Sequence, residues 1–194
     1  MSIHRVGFKF FADEESRIEL AEFVPIFHRW IDEEATPEPA IDVADYKHVV
    51  DGPGVMLITV GGMYSVERQG GRLGLRYKRL RPVEGGYPAA LEIAFSAVLA
   101  AAWRLENEPA LQGRLAFDPS RLECNVYDRL GGPDDLELRP ALVRLLVGAY
   151  AGVPFDLERA IDPRAPYTLM LRTSGPPAPT LAALRDALPA PAAR

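Results

Sequence analysis

Three observations predict an α+β fold, a single domain whose mainly antiparallel sheet is covered by helices. Apolar runs punctuated by glycine pairs follow one another closely between residues 54 and 81. Segments of helical period stand in blocks on either side, and no regular βαβ alternation occurs. The 194 residues suffice for one core and are marginal for two. Residues 1–173 read as that domain. Residues 174–194 read as a proline- and alanine-rich C-terminal tail with room for one short helix, capped by Thr180.

The elements follow in order. The stretch "IHRVGFKFF" (3–11) alternates enough for a strand. After it, Leu20, Phe23, Val24, Phe27, Trp30 and Ile31 recur at helical spacing, and Pro25 either opens the helix in its first turn or kinks it. "DEEATPEPA" ends that helix, and residues 41–53 read as the polar loop in front of a buried strand. "GVMLITV" (54–60) is continuously apolar, as a central strand is. Gly61-Gly62 and Gly70-Gly71 then turn the chain twice, so 54–81 forms a three-stranded meander. Its last strand sets Leu73, Leu75 and Tyr77 against Arg72, Gly74, Arg76 and Lys78, an apolar and a basic face. A long alanine-rich helix follows Pro88, with no charge between Glu92 and Arg104, which predicts cover from the sheet and from a second subunit. "RLECNVYD" (121–128) and "YTLMLRT" (167–173) read as strands, "LELR" as a strand that pairs back, and Pro140 as the start of a further helix.

Composition limits the function classes. Hydrophobic residues at 48% with 25% charged describe a globular chain, and a net charge of -5 disfavours nucleic acid as a partner. The one cysteine, Cys124, forms no internal disulfide and fits no metal-type spacing, and the opening residues lack a secretory core; the cytoplasm is the expected compartment. "AALEIAFSAVLAAAW" is too short and too rich in alanine to span a bilayer, so no membrane partner is expected.

Two places could carry chemistry. Residues 42–51 crowd Asp42, Asp45, Tyr46, His48 and Asp51 into ten positions before a Gly-Pro-Gly turn. Histidine titrates near neutrality, so His48 and Tyr46 with Asp51, joined by His28 from the first helix, could form an acid–base or metal-assisted group. Aspartates at turns also cap backbone amides, and that use is the commoner one. No HExxH, EF-hand, GxGxxG, P-loop or Gly-x-Ser-x-Gly pattern appears, so no metal and no cofactor is assigned. The second place is the run from Arg68 to Arg81, six basic residues without an acid. Arg68, Arg72, Arg76 and Lys78 could hold a phosphate or carboxylate, or the run is a solvated strand face whose charge discourages edge pairing.

"VPIFHRWI", "IDVADYKHVVDGPGVMLI" and "GGRLGLRYKR" resemble, in that order, segments of an uncharacterised bacterial protein family. The resemblance spans roughly the first 80 residues and brings no established activity. Where that family often carries a His-Glu pair, this chain has Val60-Gly61-Gly62. The expected function is therefore a non-catalytic binding or accessory module. It would form a homo-oligomer and dock an anionic small molecule or an acidic protein partner. The alternative is a small enzyme using His28, Tyr46, His48 and Asp51.

Overall fold

A computed structural model describes residues 4–127, 135–161, 166–175 and 179–188. The fold is α+β with a mainly antiparallel sheet. Eight strands form that sheet: β1 (Val6–Ala12), β2 (Ala40–Tyr46), β3 (Gly54–Thr59), β4 (Gly62–Glu67), β5 (Gly74–Arg79), β6 (Phe117–Val126), β7 (Phe155–Ala160) and β8 (Tyr167–Thr173). Their spatial order is β2-β3-β4-β5-β1-β6-β8-β7, with every neighbouring pair antiparallel. Among the described residues four α-helices accompany it: α1 (Phe23–Asp32), α2 (Gly86–Glu106), α3 (Asp135–Ala149) and α4 (Leu181–Ala187).

Alternation along each strand separates two faces of the sheet. One cross-strand row runs Leu57–Tyr64–Tyr77–Phe8–Cys124–Leu169, and the next runs Val55–Val66–Leu75–Phe10–Leu122–Leu171. These side chains are buried, and Phe8 meets Phe95 of α2 edge to face at 5.4 Å. Truncating Phe95 to alanine would cost about 3–5 kcal/mol. Helix α2 packs on β1 and β5 and is flanked in turn by α3 and α4. α3 and α4 thus supply part of the cover that the uncharged stretch of α2 calls for. The helix is long and apolar enough to cross a membrane by length and composition, yet eleven of its residues, among them Leu91, Phe95, Val98 and Leu105, are buried in the core, while Ile93 and Ala100 are exposed.

The meander 54–81 forms as expected, but residues 40–46 are a strand, not a loop. β2 pairs with β3 at one edge of the sheet, where a single neighbour and open solvent tolerate the acidic, weakly alternating sequence. β7 closes the other edge for the same reason and was equally hard to foresee. "LELR" does not pair back. It forms the first turns of α3, because Leu138 and Leu142 lie one turn apart on the same buried face; Pro140 therefore falls inside the helix instead of opening it. In the C-terminal stretch, Thr180 accepts a hydrogen bond from the Ala183 amide, and Leu181 and Leu184 of α4 are buried.

Candidate functional site

The residues expected to do acid–base chemistry gather only in part. Tyr46 and His48 stack with ring centroids 6.2 Å apart at the end of β2. Asp45 caps the turn by accepting from the Lys47 amide (3.1 Å) and pairs with the Lys47 ammonium, whose hydrogen bond holds its carboxyl below the ordinary range. Asp42 accepts from the Val43 amide at 2.8 Å. Asp51 adopts a left-handed backbone (φ 53°), and its carbonyl accepts from the Gln69 side chain at 3.1 Å. Tyr46, His48 and Asp51 are exposed on this hairpin, and His28 is exposed on α1. Among the described residues no three His, Cys, Asp or Glu side chains gather as a metal site would need.

The basic strand meets a partner that its own sequence does not contain. On the face of the sheet away from the helices, one cross-strand row runs Met56–Ser65–Arg76–Lys9–Glu123–Met170. Lys9 and Glu67 form an ion pair at 2.8 Å with side chains 1% and 0% exposed. The Lys9 ammonium also donates to the carbonyls of Arg72 (3.2 Å) and Gln69 (3.5 Å), which ties down the turn between β4 and β5. Arg76, 11% exposed, donates to Glu123 (2.9 Å), Glu67 (3.3 Å), the Tyr127 hydroxyl (3.3 Å) and Asn125. Burial pulls the Lys9 pKa down more than the charge and hydrogen bond of Glu67 hold it up. The same burial raises the Tyr127 hydroxyl, opposed by Arg76.

Glycine makes this packing fit. A Cβ on Gly74 would stand 2.4 Å from Lys9 Cε and 2.6 Å from the Phe10 carbonyl oxygen. The cluster is closed, since its cations and carboxylates satisfy one another. Arg76, expected to hold a ligand, is therefore committed to the sheet itself. Arg68 instead donates to the Ile18 carbonyl (2.7 Å), while Arg72 lies over the Phe11 ring and Lys78 over Tyr127. Neither a ligand-binding strand nor a solvated face describes the centre of this surface; it is a buried charge network.

A third group of charges was not foreseen. The C-terminal ends of α1 and α2 come together with the turn Pro109–Leu111 around a cleft of about 540 Å³. Arg29, Glu33, Trp103, Arg104, Asn107 and Glu108 are among its lining residues. Arg29 pairs with Glu108 (2.5 Å) and Glu33 (3.6 Å), and Arg104 pairs with Glu33. Arg29 and Arg104 belong to the last turns of their helices, where a cation complements the carbonyl-rich end of the dipole by about 0.3–1 kcal/mol. Arg29, Arg104 and Glu33 are 42%, 39% and 45% exposed. Arg185 of α4 lies 4.0 Å from the ring centroid of Trp103, one of the lining residues.

Behind the cleft lies a cavity of about 30 Å³, lined by Trp30, Ala35, Thr36, Tyr64, Ala97, Ala101 and, in common with the cleft, Arg104. The Arg104 guanidinium sits 5.3 Å from the Trp30 ring centroid. Trp30 is fully buried, and its Nε1 has no hydrogen-bond partner among the described residues. A lone arginine at a helix end is unremarkable in sequence, and only the packing of α1 beside α2 brings two together.

No protein-family model, no curated protein and no solved structure matches the chain.

Proposed function

We propose that the protein is a non-catalytic binding module for a small anionic ligand, seated in the cleft between the C-terminal ends of α1 and α2. One observation carries this reading: two half-exposed guanidiniums, Arg29 and Arg104, share a single half-exposed carboxylate, Glu33. Exposed ion pairs contribute only about 0–1 kcal/mol, so a ligand carboxylate can take the place of Glu33 at little cost. The planar fork of each guanidinium suits a carboxylate or phosphate. Arg29 is also held at 2.5 Å by the nearly buried Glu108, a second carboxylate in the cleft lining, which in turn accepts from the Ala110 amide at 3.1 Å. The basic strand supports anion binding less, because its central arginine is saturated by Glu67 and Glu123.

Calorimetric titration of the full chain with acetate, propionate and inorganic phosphate tests this. Binding is expected to weaken about ten- to a hundredfold in Arg29→Gln and Arg104→Gln, as loss of a charge-assisted hydrogen bond implies. Affinities unchanged in both variants, or no binding by the unaltered chain, would overturn the assignment.

A further inference from the structure

Resting on that reading, we infer that the cleft and the cavity behind it form one site, and that its ligand is a short carboxylate carrying a 2-oxo or 2-hydroxy oxygen. The carboxylate lies on Arg29 and Arg104, and the second oxygen accepts from Trp30 Nε1. Trp30 Nε1 is a buried donor left without a partner, in a residue with no exposed surface. Such a group costs about 1–3 kcal/mol until an acceptor reaches it. The cavity that Trp30 lines holds about 30 Å³. That is room for one or two water-sized groups, hence for an oxygen on a short chain and not for a ring.

Arg104 lines both spaces, and its guanidinium stands 5.3 Å from the Trp30 ring centroid. A ligand that grips Arg104 by its carboxylate is thereby held beside the Trp30 ring, and the inference gives its second oxygen to the indole N–H. Ala97 and Ala101 supply the space: small side chains on α2 leave a gap where larger ones would close it. An oxygen that meets a buried donor also gives selectivity, because the analogue lacking it leaves the donor unpaired.

The chain holds two tryptophans, Trp30 and Trp103, and both line this site. Their two indole N–H resonances report on it directly in the nitrogen-edited spectrum, with Trp103→Phe giving the assignment. Lactate and pyruvate are titrated against propionate, which matches them in carbon count and lacks the 2-oxygen. Lactate or pyruvate is expected to shift the Trp30 resonance and to bind at least about tenfold more tightly than propionate, a difference of roughly 1.4 kcal/mol. Propionate, which lacks the acceptor, is expected to move the Trp103 resonance and to shift the Trp30 resonance less than lactate or pyruvate does. Ala101→Val, which fills the cavity, and Trp30→Phe, which removes the donor, should each abolish the discrimination while propionate still binds. Thermal melting checks that both variants are folded. Equal affinity for all three acids, or an unmoved Trp30 resonance with pyruvate bound, overturns this inference and leaves the cleft as an anion site. Failure of every carboxylate to bind overturns both.

Discussion

The Lys9–Glu67–Arg76–Glu123 network and the Glu108–Arg29–Glu33–Arg104 chain each join two cations to two carboxylates. Their surroundings differ. The first lies across the middle of the sheet, almost sealed from water, with Lys9–Glu67 and Arg76–Glu123 each reaching over an intervening strand. The second lies where two helix ends meet solvent. Burial makes the first costly to disturb and so a fastener of strand register; exposure makes the second cheap to rearrange and so available to a ligand. Charge alone does not mark a binding site. The water around it decides.

The comparison breaks most visibly at Glu67. Glu67→Leu leaves Lys9 and Arg76 buried beside each other, and a loss of about 3–5 kcal/mol is expected in urea unfolding. The double variant Lys9→Met/Glu67→Leu should recover a large part of it; equal losses in the two would show that the pair is not coupled. Gly74→Ala comes next, at about 1–3 kcal/mol, because the added methyl meets the Phe10 carbonyl as well as the lysine stem. A smaller effect is one of slope. The Lys9 pKa is lowered by folding, so the unfolded chain binds the extra proton between that lowered value and the ordinary 10.5. Stability contributed by this group therefore rises with pH through that window. Unfolding free energies should climb relative to Lys9→Met as pH approaches 10.5 from below, and parallel curves would refute the shift. Smallest is Glu33→Gln in the cleft, expected to stay within about 0.5 kcal/mol of the unaltered protein. A loss of several kcal/mol there would erase the contrast.

The core was legible because periodicity reports burial. Tyr77 and Leu122 alternate with charged neighbours, Leu57 lies in a continuously apolar run, and the three strands from 54 to 81 carry their own glycine turns. The sheet's edges were not legible. β2 and β7 have one paired neighbour each, so their sequences need no apolar face on both sides. The charge network was half visible. Arg76 stood out in a basic run, but Lys9, Glu67 and Glu123 come from three other strands, and nothing local announces that the register sets them side by side. One sign was available, a lysine inside "FKFF", where a single polar residue interrupts an apolar strand. The cleft gave less warning still, since Arg29 and Arg104 are each an ordinary last-turn cation.

β1 is the first strand in the chain and stands in the interior of the sheet, bordered by β5 on one side and β6 on the other. During synthesis it leaves the ribosome long before either neighbour has been made. Its aromatic side must then wait for α2, and its lysine for acids encoded far downstream. Folding of this chain is consequently a late, closing event that is expected to be slow for its size and exposed to chaperones until residue 126 has emerged.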